Sequence, residues 1–122
     1  MKLRFRGNSL RLRVNRLEVE RLAAGRRLEE RVRFPGSELT YTLEASTQEG
    51  TRASFERNTI RVVAPAAEVG HWASDESIGL YYNVSTEGDP LSIMIEKDLE
   101  CIDGPAEERD PDAFARSPVK SC

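Results

Sequence analysis

Apolar and charged residues alternate strictly at the start of the chain. Leu3 and Phe5 lie among Lys2, Arg4 and Arg6, and Leu10, Leu12 and Val14 lie among Arg11 and Arg13. A period of two marks a strand with one buried and one wet face, and Gly7-Asn8-Ser9 supplies turn chemistry between two such arms. The pattern therefore predicts a hairpin whose wet face carries a block of arginines. The period then changes. Leu17, Val19, Leu22 and Ala23 recur at mainly helical spacing after Asn15, a good N-cap residue. Glu18, three residues after Asn15, completes a capping-box pattern, and Gly25 supplies a stop, so a helix is predicted over 16–24.

Beyond Gly25, strand signals dominate. Residues 28–34 alternate up to Pro35-Gly36, and Leu39, Tyr41 and Leu43 alternate with Thr40, Thr42 and Glu44. Gln48-Glu49-Gly50 turns the chain, after which 52–57 and 60–63 read as a strand pair joined at Asn58-Thr59. Residues 64–73 suit a short helix or a turn, with Pro65 tolerated at its start. Two more strands, 77–84 and 91–96, flank the loop Thr86-Glu87-Gly88-Asp89-Pro90. No internal repeat is apparent. From Asp103 the chain is mostly charged and broken by Gly104, Pro105, Pro111 and Pro118, a composition that cannot repay the cost of ordering itself. Phe114 is the aromatic anchor of that segment, for its own domain or for a partner. The expected architecture is α+β and β-dominant. It is a curved antiparallel sheet or partly closed barrel of about seven strands, with the helix at 16–24 on one side. Residues 1–102 form the single domain, and 103–122 form a flexible acidic tail.

Composition narrows the class. With 122 residues, 39% apolar and 32% charged, the chain suits one economical core under a strongly hydrated surface. No apolar run approaches a membrane span, and no apolar h-region follows the charged N-terminus, so a cytoplasmic, water-soluble protein is expected. Cys101 and Cys122 make no disulfide framework and are read as reduced thiols. Charge is unevenly spread. Residues 1–33 hold eleven Lys/Arg against four Glu, giving +7, and the remainder holds seven against seventeen, giving −10, which sum to the net −3. Such polarity suits either a basic partner surface or neutralisation of one half by the other.

Candidate chemistry is sparse. His71 is the lone histidine and has no nucleophile elbow or related motif to serve, so no catalytic residue is assigned. No ligand spacing suits a metal, no glycine-rich loop suits a phosphate, and no cofactor is implied. A small-ligand or enzymatic barrel would place its pocket near His71, Trp72 and Tyr81. Glu96, Asp98 and Glu100 alternate on one strand face and could answer the arginines. The stronger candidate is Arg4, Arg6, Arg11 and Arg13, whose guanidinium groups share one sheet face and suit an anionic partner. A protein partner is favoured over nucleic acid, because the sequence pI is about 5.3.

Two resemblances carry these residues further. Gly7-Asn8-Ser9-Leu10, Arg13-Val14 and a helix ending at Gly25 resemble the opening of AbrB/MazE-type swapped-hairpin domains over residues 2–34. That likeness implies a dimeric DNA-binding or antitoxin-type regulator, with Arg4, Arg6, Arg11 and Arg13 as contacts. Asn15 and Gly25-Arg26-Arg27 depart from its usual proline and Gly-Asp turn. The longer resemblance is to small uncharacterised bacterial proteins that open Met-Lys-(Leu/Ile)-Arg…Gly-Asn-Ser-(Leu/Ile)-Arg-Leu-Arg and carry the equivalents of Leu43–Ser46, Trp72-Ala73 and Glu96–Asp98. It implies a self-contained domain and no particular activity.

Overall fold

A computed structural model describes residues 1–48, 50–98 and Phe114. Eight strands and two helices follow one another as β1 (Lys2–Arg6), β2 (Ser9–Val14), α1 (Arg16–Ala23), β3 (Leu28–Phe34), β4 (Ser37–Ser46), β5 (Arg52–Glu56), β6 (Thr59–Pro65), α2 (Ala66–Ser74), β7 (Gly79–Val84) and β8 (Leu91–Lys97). The β-dominant α+β class holds. The detail differs from the sequence expectation: there are eight strands, divided between two open four-stranded sheets, and the second helix forms. The sheet orders are β1-β2-β8-β7 and β3-β4-β6-β5. The all-antiparallel expectation also fails at the centre of each sheet, where β2 pairs with β8 and β4 with β6 in parallel. Alternation within a hairpin fixes which face is buried. It does not fix which hairpin lies alongside.

The local devices are those the residues dictate. Asn15 Oδ1 accepts from the Glu18 N–H at 2.9 Å, and Glu18 Oε1 accepts from the Asn15 N–H at 2.9 Å, closing the capping box of α1. Gly7 takes φ +55° in the first hairpin turn, a left-handed conformation that costs glycine nothing. Val19 and Leu22 of α1 and Val69 and Trp72 of α2 are buried with the inner faces of both sheets, including Leu10, Leu12, Leu43, Val62, Ile93 and Ile95. One core therefore serves both sheets.

The two sheets are also two copies of one arrangement. Exchanging β1, β2, β3 and β4 for β5, β6, β7 and β8 turns the first sheet order into the second. The repeat is present in the residues, n matching n+50: Phe5 with Phe55, Asn8 with Asn58, Leu10 with Ile60, Arg11 with Arg61, Glu18 with Glu68, Val19 with Val69 and Leu22 with Trp72. The pairing registers place Tyr41 opposite Ile60 and Ile93 opposite Leu10, so the last strands match with n+52, Leu43 with Ile95 and Glu44 with Glu96. Bonds repeat as well. The Ser92 N–H donates to Asn8 O at 3.1 Å and the Thr40 N–H to Asn58 O at 3.0 Å. The absence of an internal repeat expected from the sequence is thus overturned. Conservative swaps such as Leu for Ile, and a two-residue shift after α2, hide the repeat from inspection of the sequence.

The start of β1 is tied down by charge. The Met1 ammonium is partly buried and meets Glu18 Oε2 at 2.5 Å and Glu30 Oε2 at 2.8 Å, while Tyr41 donates its hydroxyl to Met1 O at 2.8 Å. Burial opposes the ammonium charge, but hydrogen bonds and attraction from Glu18 and Glu30 prevail and raise its pKa above the ordinary 8.0. The folded state therefore holds this proton more tightly than the unfolded chain. Its contribution to stability is complete below about pH 8 and is lost as pH rises through the folded value. Thermal melts at about pH 7 and about pH 9 should show the alkaline sample melting lower. Glu18→Gln should flatten that difference while keeping the cap, and an equal drop in the variant would contradict the assignment.

Candidate binding surface

Register assigns every side chain of the first sheet to a face. On the outer face Lys2 lies opposite Arg13, Arg4 opposite Arg11 and Arg6 opposite Ser9. The next strand continues these rows with Glu96, Met94 and Ser92, and β7 ends them with Gly79, Tyr81 and Asn83. Five cations thus share two adjacent strands, two pairs of them in direct opposition, an arrangement that repels itself unless anions intervene. The four predicted arginines do lie on one face. Lys2 joins them, which only the register reveals.

Their surroundings differ. Glu96 Oε1 lies 3.1 Å from Arg11 Nε and 3.9 Å from Arg13 Nε, the first an ion pair without hydrogen-bond alignment. Arg11 also reaches Met94 Sδ at 3.5 Å. Lys2 Nζ meets the buried Asp98 at 2.8 Å. The carboxylates Glu96 and Asp98 therefore answer part of the cluster, as their alternation suggested; Glu100 lies outside the described residues. Arg4 and Arg6 are exposed on the edge strand, with no ion-pair partner among the described residues. Tyr81 donates its hydroxyl to Glu96 Oε2 at 3.0 Å, and its pKa is raised by burial and then by that carboxylate.

The second sheet supplies an internal control. Its equivalent outer rows begin Arg52–Val63, Ser54–Arg61 and Glu56–Thr59. Arg61 repeats the role of Arg11, its Nε donating to Glu44 Oε1 at 2.5 Å. Positions 54 and 56, the counterparts of Arg4 and Arg6, are serine and glutamate. The same hairpin is therefore built without arginine at those two positions.

The alternative pocket is not assembled. Trp72 is 1% exposed within the core and donates its Nε1–H to Ile78 O at 3.0 Å. Tyr81 stands on the outer face of the sheet, while its neighbour Tyr82 points inward and donates to Glu68 Oε1 at 2.8 Å. Burial, then the Glu68 carboxylate, raises the Tyr82 pKa well above 10.0. His71 is exposed on the last turn of α2. The structure does not bring His71, Trp72 and Tyr81 around one cavity. A shallow open depression lies instead against Phe55, Ser85, Thr86, Glu87 and Gly88. Among the described residues, no three His, Cys, Asp or Glu side chains converge as metal ligands. No described helix is long and apolar enough to cross a membrane. Cys101 and Cys122 lie outside the described residues, as does the tail apart from Phe114. The Phe114 N–H donates to Asp98 O at 2.7 Å, and its ring lies 5.6 Å from the Arg16 guanidinium and 5.4 Å from Lys97 Nζ.

A model for a family of unknown function covers residues 1–117. No curated protein and no solved structure matches the chain.

Proposed function

The chain belongs to that family, DUF7009, and we propose that it is a non-enzymatic binding module whose N-terminal hairpin engages an anionic protein surface. The observation that carries this reading is the asymmetry between its two halves. Ser54 and Glu56 occupy the positions of Arg4 and Arg6 in a hairpin of the same strand pairing, which forms without either arginine. The uncompensated Arg4 guanidinium opposite Arg11, with Arg6 beside it, adds repulsion to the sheet, and an incoming carboxylate removes it. The test uses a capped oligoglutamate and a short DNA duplex, each titrated at low and high salt. The wild-type chain should bind oligoglutamate at low salt and weaken as salt rises. The double variant Arg4→Ser/Arg6→Glu should bind about tenfold more weakly with a melting temperature no lower than that of the wild type. Equal binding by the two proteins would contradict the proposal.

A second reading is an AbrB/MazE-like DNA-binding or antitoxin-type regulator. What favours it is that each sheet joins a hairpin from one half to a hairpin from the other, as two chains do in a swapped-hairpin dimer. Retention of the duplex in preference to oligoglutamate would select this reading.

A further inference from the structure

We propose that β1 is a strand-addition site, and that its partner is an extended protein segment alternating acidic with apolar residues. This inference rests on the binding-module reading and specifies the partner's shape. β1 closes one edge of its sheet and pairs only with β2, so the peptide groups on its other side have no strand neighbour among the described residues. Such an edge accepts another strand through main-chain hydrogen bonds, while alternate side chains determine which sequence is accepted.

Two different rows of side chains flank that edge. Lys2, Arg4 and Arg6 stand on the outer face, and Leu3 and Phe5 on the inner, with Phe5 57% exposed. An added strand would therefore meet cations at every second residue and apolar surface between them. A nucleic acid can satisfy the first row and accept from edge N–H groups, but it offers no alternating ladder of donors and acceptors and no apolar side chains for the second row. A segment of alternating acidic and apolar residues satisfies both rows and the backbone together.

The edge is also fixed in position before any partner arrives. The Met1 ammonium is held by Glu18 and Glu30, Lys2 is held by Asp98, and Gly7 turns the far end. A preset strand loses little freedom on pairing, which favours binding. The equivalent edge strand β5 also ends its sheet and exposes Phe55 to 69%. Its other row is Arg52, Ser54 and Glu56, so an acidic strand is excluded there by charge and not by geometry.

The test is a titration of the full chain with a short capped peptide containing Glu-Val-Glu-Val-Glu, followed by amide hydrogen exchange. Binding should slow exchange within Lys2–Arg6 and leave Arg52–Glu56 unchanged. The same peptide N-methylated on alternate residues should bind about tenfold more weakly, as should the parent peptide to Arg4→Ser/Arg6→Glu. Equal affinity of the N-methylated peptide would overturn strand addition while leaving the ionic surface intact. Binding of oligoglutamate or DNA without binding of the alternating peptide would overturn it likewise. Failure of every anion to bind would overturn both this inference and the reading beneath it.

Discussion

Trp72→Ala is expected to lower stability by about 3–5 kcal/mol, the usual cost of truncating a fully buried aromatic. Trp72 is 1% exposed, lies among the buried side chains shared by both sheets, and has Lys97 Nζ 5.8 Å from its ring. Its hydrogen bond to Ile78 O is the smaller part of the loss, because that carbonyl also accepts from the Lys97 N–H at 2.9 Å. The cavity is the larger part. In the first half Leu22 fills the corresponding place and is fully buried, so Trp72→Leu should cost clearly less than Trp72→Ala. Chemical denaturation reads both variants. A loss below about 1 kcal/mol for Trp72→Ala would show that the side chain is not the keystone of α2.

A larger effect is expected from dividing the chain. Residues 1–50 hold β1 to β4, yet neither hairpin of that half pairs with the other; β2 pairs with β8 and β4 with β6. Cutting there exposes the inner rows of Leu10, Leu12 and Leu43 together with two open strand edges. The fragment alone should show no cooperative unfolding as a monomer, and mixing it with residues 51–122 should restore the transition. The equivalence of the halves adds a corollary. If the fragment folds by itself, it should do so as a homodimer, with β2 of one copy beside β4 of the other. A folded monomer of residues 1–50, seen by sedimentation and thermal melting, would contradict the intertwined topology.

The first hairpin, the capping box of Asn15 and Glu18, and the alternation of Leu39, Tyr41 and Leu43 were legible because each is fixed by neighbours in sequence. The sheet partners were not. Parallel pairing of β2 with β8 joins residues more than eighty apart, and no period of two encodes it. The duplication shows how such information hides. Asn8 and Asn58, Arg11 and Arg61, and Glu18 and Glu68 are identical, but they are scattered among positions such as Arg13 and Val63 or Leu22 and Trp72 that differ. The arginine face was visible as composition, whereas the division of its members was not. Arg11 and Arg13 share Glu96, while Arg4 and Arg6 remain open at the edge, and that difference depends on a strand more than eighty residues away. The pocket expected near His71, Trp72 and Tyr81 joined residues by type alone, and the sheet lies between Trp72 and Tyr81.

A frame built twice, with arginine at these two edge positions in only one copy, makes the binding surface transferable. The decisive measurement is the stoichiometry of oligoglutamate binding to the variant Ser54→Arg/Glu56→Arg, which gives the second hairpin arginine at the positions of Arg4 and Arg6. The variant should gain a second site equivalent to the one on the wild-type chain. An unchanged stoichiometry, in a variant that still folds, would show that the arginines of β1 are not what makes that surface bind.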